Sequence, residues 1–247
     1  MNARAEALPP EKRTIGQLVA ETIRLYGDHF WKALALGIAP ALLFVASVEW
    51  SSDLALATLV CVSAVVNSAV YLAACALVLG VRPDQRTLQT AFLVGLVVWL
   101  PAFFIPVIWF AAVGLAVPAA LVERLEYGAA LRRGFRLFTA DAVHAFFGVL
   151  ALVVVTFVTA AVLFVLLRIG SQQGIRVAAG LASLVLSPVL YLGAALLYVD
   201  QRARLDRLPT PDPKGGSDAD VHPALEPDRA GGPDAEVQPR PAAGGES

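Results

Sequence analysis

The rhythm of apolar positions changes near residue 30. Between Ile15 and Phe30 they recur at helical spacing, as Ile15, Leu18, Val19, Thr22, Tyr26 and Phe30, with Gln17, Glu21, Arg24 and Asp28 on the other face. A one-sided stripe of that period predicts an amphipathic helix over about 14–29. Thr14 stands where an N-cap belongs, and Gln17 where a capping box needs its partner. Such a helix lies in the membrane surface or packs on the protein's own cytoplasmic loops. Past residue 30 the stripe becomes continuous. Residues 33–48, 54–81, 87–122, 142–167 and 177–199 contain no Asp, Glu, Lys or Arg. A helix rises about 1.5 Å per residue and the hydrocarbon core is about 30 Å thick, so about 20 apolar residues cross it. Spans are therefore predicted at about 30–50, 54–80, 142–167 and 177–199, with Trp31 and Trp50 at the two interfaces of the first.

The run 87–122 is the ambiguous one. Crossing once, it would place the arginine-rich "RLEYGAALRRGFR" opposite both "VRPDQR" and the amino terminus, against the positive-inside rule. Two spans of at least 17 residues fit within its 36 residues. Pro101 and Pro106 bracket a turn at "AFFI", since proline breaks a helix interior and disfavours helix just before it. A re-entrant hairpin would return to the same side, so charge fixes parity and not depth; two short spans are the expectation. Six spans with both termini cytoplasmic follow. The loop "RIGSQQGIR" then faces outward despite two arginines.

A second amphipathic helix is predicted at about 123–140. Tyr127, Leu131, Phe135 and Phe138 line one face, and Arg132, Arg133 and Arg136 occupy the others. The chain thus divides into a polar, disordered 1–13, a six-span membrane domain over 14–207, and a disordered cytoplasmic tail over 208–247. From Pro209 the tail is rich in Pro, Gly and acids, with eight acidic and three basic residues, or −5. Such a composition buries too little apolar surface to fold.

Composition sharpens the class. Of 247 residues, 57% are hydrophobic and only 16% charged, where a soluble domain carries about 25%. The fold class is all-α: a polytopic transmembrane helical bundle with amphipathic surface helices. Arginine greatly outnumbers lysine and alanine is abundant, which hints at a high G+C bacterial genome and an inner-membrane location. Cys61 and Cys75 lie 14 positions apart on one predicted helix, about 21 Å of rise, too far to pair; they read as small buried side chains. No secretory signal peptide is expected, the first span staying as an anchor.

Chemistry inside a membrane ordinarily shows as ionisable residues within the spans. Here the spans are nearly bare. His144 reads as a lone interfacial histidine, and Glu49, Asp53, Glu123 and Asp200 flank span ends where they could stay hydrated. The sequence contains no metal-ligand spacing, phosphate-binding glycine loop or nucleophile elbow. No catalytic residue, cofactor, metal or nucleic-acid partner is expected. Two candidate groups stand out. Arg124, Arg132, Arg133, Arg136, Arg202, Arg204 and Arg207 form a basic inner face that either pairs with anionic lipid headgroups or enforces orientation. Asn67, with Ser63 and Ser68, is a polar contact within the second span that reads first as helix packing.

Four segments resemble the prokaryotic integral membrane family related to the membrane domain of glycerophosphoryl diester phosphodiesterases: "IGQLVAETIRLYGDHFWKAL", "VPAALVE", "AALRRGFRLF" and "SPVLYLGAALLYVDQR". The resemblance covers about residues 14–207, with Pro118, Glu123, Pro188, Tyr198, Asp200 and Arg202 in matching places; "FTADAVHAF" departs from the pattern. Some relatives carry a phosphodiesterase domain for which this chain has no room, so that activity does not transfer. The expected role is a non-enzymatic accessory or scaffold for envelope or lipid processes, with the bilayer, anionic lipids and a membrane protein as partners. The alternative is a small transporter or lipid-handling carrier.

Overall fold

The computed structural model describes residues 10–47, 52–102, 106–167 and 172–207. Described residues are helical wherever they are regular, with no strand among them. The elements are a short 3-10 turn Pro10–Lys12, then α1 (Ile15–Asp28), α2 (Phe30–Ser47), α3 (Asp53–Leu79), α4 (Gln85–Ala102), α5 (Pro106–Val113), α6 (Ala116–Glu123), α7 (Tyr127–Ala140), α8 (Ala142–Leu167) and α9 (Gln172–Leu205). Four helical stretches are long and apolar enough to cross a membrane: Phe30–Ser47, Asp53–Leu79, Ala142–Leu163 and Val177–Leu205. The chain is a helical membrane protein.

Local signals set the helix ends. At α1 both halves of the capping box form: Gln17 N donates to Thr14 Oγ1 at 3.3 Å, and Thr14 N donates to Gln17 Oε1 at 2.9 Å. Ser52 caps α3, and Gly80 ends it in the left-handed region (φ 64) that glycine adopts without strain. Asp84 precedes α4 and accepts from the Thr87 hydroxyl at 2.5 Å. That bond, more than any neighbouring charge, holds the exposed Asp84 carboxyl below its ordinary pKa.

Helices that follow one another along the chain pack in three sets. α2 packs on α3, α4 folds back on α5 and α6, and α8 packs along α9. Three observations bring the open ends of these hairpins together. Arg13 meets Asp200, Arg204 meets Asp141, and a cleft joins Asp84 and Thr87 to Arg124 and Glu126. Start and end of the helical body lie at one end, the inner end in the expected orientation. α9 is the hub, contacting α1, α2, α3, α7 and α8. It crosses α2 so closely that a Cβ on Gly37 would fall on the Leu184 carbonyl. Close crossing of small residues is how membrane helices gain dispersion contact where lipid is as apolar as leucine.

The middle hairpin differs from the others. α4 has 18 residues, the first turn polar, and the return arm is broken into two helices of 8 residues each. The break at Gly114 frees a carbonyl, and the Tyr71 hydroxyl of α3 donates to it at 3.1 Å. Irregular backbone at membrane depth survives only where protein satisfies it. The Trp109 indole N–H donates to the Val98 carbonyl at 3.0 Å and ties the arms together. Ala116–Leu121 of α6 are all buried. Of the turn expected at "AFFI", Ala102 ends α4 and residues 103–105 lie outside the described residues, as do Glu49, Trp50 and the tail 208–247.

Some boundaries moved. The 3-10 turn and the pinned Arg13 give the last residues of the expected disordered 1–13 a defined structure. α9 begins at Gln172, within the expected outer loop 168–176. Cys61 is exposed on the flank of α3 while Cys75 is buried, so only Cys75 fits the expected buried role. α1 packs on α8 and α9 through Leu18 and Thr22.

Candidate functional site at the inner end

Buried polar chemistry concentrates at the inner end, in two groups separated by α9. The first is built on the junction of α7 and α8. Asp141 ends α7 and caps α8 by accepting from His144 N at 3.0 Å. It also receives Arg204 at 2.7 Å and the Gln201 side-chain amide through its carbonyl at 3.3 Å. One turn along α9, Asp200 is fully buried and accepts from Arg13 at 2.6 Å. His144 Nε2 lies 3.9 Å from the other Asp200 oxygen and its ring 3.3 Å from Arg204. Arg204 donates as well to the Arg13 carbonyl at 2.9 Å. Arg13, Asp141, Asp200 and Arg204 balance, so the group is a neutral clamp holding the segment before α1 to the end of α9.

This corrects two expectations. Asp200 does not stay hydrated, because α1, α8 and α9 close over it. His144 is not alone: it has a carboxylate and a guanidinium beside it. The missed signal was spacing: Asp200 and Arg204 sit one turn apart on α9, and Asp141 and His144 flank the start of α8, so their packing makes one cluster.

The second group lies between α6, α7 and α9. Arg133 Nε sits 3.0 and 2.9 Å from the two oxygens of Glu123, and the Tyr198 hydroxyl donates to Glu123 at 3.2 Å. Glu123 is thus the hinge between the end of α6 and the body of α7. The intervening turn needs Arg124 in the left-handed region (φ 51), a conformation that costs a non-glycine residue about 1 kcal/mol or more. That turn lets α7 double back across α6, where a Cβ on Gly134 would clash with Ala116.

α7 therefore has three sectors. Ala130, Gly134 and Leu137 are buried against the bundle. Tyr127 and Phe135 are exposed, while Leu131 and Phe138 are half-buried and pack against the core, so the expected apolar face is split between protein and surroundings. Arg132 and Arg136 are exposed on the third sector. Neither has a carboxylate within ion-pair distance among the described residues. With Glu123, Leu125, Ala129 and Arg133 they line a cleft of about 380 Å³.

The seven predicted arginines thus separate. Arg133 and Arg204 are internal ion-pair partners. Arg202 is half-buried beside the Tyr198 hydroxyl and lies 3.9 Å from the exposed Asp206, a pair that contributes little stability. Arg207 is exposed at the end of the described chain. Arg124 faces the neighbouring cleft and the Asp84 carboxylate. Among the described residues, Arg132 and Arg136 combine exposure and proximity with no carboxylate at ion-pair distance. Asn67 is used in packing: Tyr191 donates to its Oδ1, and its Nδ2 donates to the Ser63 carbonyl at 2.7 Å. It borders an aromatic cluster of Tyr71, Trp99, Phe110 and Tyr191. Among the described residues no three His, Cys, Asp or Glu side chains gather as a metal site would require.

Compared with known protein families, with curated proteins and with solved structures, the chain matches none.

Proposed function

We propose that this chain is a six-crossing protein of a bacterial inner membrane, both termini cytoplasmic, acting without catalysis as an accessory or scaffold that holds anionic lipid at its inner face. The observation that carries the reading is α7, whose Arg132 and Arg136 have no ion-pair partner among the described residues and stand beside the exposed Tyr127 and Phe135. Arginines at an interface meet lipid phosphates, and aromatic rings beside them sit at headgroup depth. The gathering of hairpin ends at the arginine-rich end supports an even number of crossings. In this reading the middle hairpin supplies two of the six, its short broken arm buried among neighbours. Kinship with the glycerophosphodiesterase-related membrane family belongs to the same reading and rests on the matched sequence segments alone.

The test is mass spectrometry of the protein extracted gently from its own membrane. Enrichment of anionic over zwitterionic lipid, with a reproducible protein partner, is the expected result; bulk lipid composition and no partner would remove the scaffold reading. Orientation is read separately with Gly128→Cys, an exposed position with open space around it, in a Cys61→Ala background. Labelling from the outer side would overturn the six-crossing topology.

A further inference from the structure

We propose that the cleft between α6 and α7 is a binding site for a phosphomonoester lipid headgroup, with Arg132 and Arg136 as its ligands and Arg133 as its positioned floor. The proposal rests on the reading of the inner face as lipid-binding, and it names the headgroup chemistry.

The charge of the cleft is the first argument. Its lining holds three arginines and one carboxylate, a net of 3 − 1 = +2. Glu123 is already engaged by both Arg133 and Tyr198, so it does not neutralise the other two arginines. Arg132 and Arg136 lie one turn apart on one helix, where like charges repel. A folded helix keeps such a pair at a small cost unless an anion relieves it. A phosphomonoester carries about −1.5 to −2 at neutral pH and presents three acceptor oxygens; a phosphodiester carries a single charge. The cleft's charge matches the former. Guanidinium forks bind such oxygens in pairs.

The apolar neighbours select a lipid over a soluble phosphate. Tyr127 and Phe135 stand exposed on the sector next to the arginines, and Val143 and Phe147 are exposed in the first two turns of α8. A soluble anion would leave that surface in water, whereas acyl chains cover it while the phosphate sits in the cleft. The rigid frame is supplied by burial: Ala116–Leu121 of α6 are enclosed, Gly134 presses on Ala116, and Arg133 is fixed by both oxygens of Glu123.

The experiment uses the full chain purified in mild detergent. Native mass spectrometry reads titration with a short-chain phosphatidic acid, a phosphatidylglycerol of the same chain length, and inorganic phosphate. Phosphatidic acid is expected to bind at least tenfold more tightly than the other two. Arg132→Gln and Arg136→Gln are each expected to weaken it about fivefold, and the double variant about thirtyfold, from a contribution of about 1 kcal/mol per arginine. Arg24→Gln, an exposed arginine on α1 already facing Glu21 and Asp28, removes the same charge elsewhere and should leave the titration unchanged. Equal affinity for the two lipids would overturn the phosphomonoester assignment while leaving the anionic-lipid function standing. Phosphate binding as tightly as the lipid would overturn the lipid source. Loss in Arg24→Gln equal to that in the α7 variants would replace the site with a diffuse charge effect. No binding of either lipid would sink both readings.

Discussion

Two groups of arginines share the inner end and do opposite things. Arg13 and Arg204 are enclosed with Asp200 and Asp141, their charges cancelled within the protein. Arg132 and Arg136 stand exposed on α7 with no carboxylate at ion-pair distance among the described residues. The positive-inside rule counts all four alike, because it scores the residue type and the side of the membrane. The structure separates them by burial and pairing. A buried ion pair holds two segments together and tolerates no loss of a partner, whereas an exposed unpaired cation adds little stability and offers a surface to something else.

The largest expected effect breaks the enclosed group. Arg13→Ala leaves the fully buried Asp200 without its 2.6 Å partner. Breaking such a pair on one side costs about 3–5 kcal/mol, measured as a fall in unfolding free energy in detergent, with early hydrogen exchange in α1. Arg13→Met with Asp200→Leu should recover most of that loss, since removing both charges avoids the stranded one. Recovery failing would mean that the clamp's shape matters more than its charge.

Next is the close crossing of α2 and α9. Gly37→Ala places a Cβ against the Leu184 backbone, and forced expansion of a packed contact costs about 1–3 kcal/mol. A smaller loss, about 1 kcal/mol, is expected for Tyr71→Phe, which strands the Gly114 carbonyl; faster exchange confined to α5 and α6 would locate it. The smallest effect sharpens the contrast most. Arg132→Gln with Arg136→Gln should change unfolding free energy by less than about 0.5 kcal/mol while lipid binding collapses. A stability loss as large as that of Arg13→Ala would show that the two groups are not different in kind.

Much of this architecture is legible in the sequence because local rules govern it. The capping box at Thr14 and Gln17, the long apolar runs and the amphipathic stripes of α1 and α7 are all local patterns. The candidate site was only half legible. That Arg132 and Arg136 are basic and surface-facing follows from their spacing. That Arg133, between them, turns inward to Glu123 does not, because it depends on the left-handed Arg124 folding α7 back over α6. The clamp was the least legible part. Arg13 and Asp200 stand 187 positions apart, and no periodicity links them. Asp200 looked hydrated because helix ends usually are, and only the packing of α1 across α8 and α9 removes its water. Tyr191 reaching Asn67 was partly foreseen, since an amide within a span ordinarily finds a neighbouring helix.

The break at Gly114 also constrains biogenesis. An insertion machinery that met α5 alone would find 8 residues, about 12 Å of helix, against a hydrocarbon layer of about 30 Å. Such a segment has no reason to partition by itself, and its free carbonyl has no donor until α3 has delivered Tyr71. The expected order is that α3 enters first and residues 85–123 follow as one closed hairpin. Chains halted at Val113 should therefore leave the arm open to protease, and chains halted at Glu123 should protect it. Equal exposure at both lengths would show that the hairpin waits for α8 and α9. In the six-crossing reading, this part of the membrane is occupied by a folded unit whose return arm is assembled from two helices each too short to reside there singly.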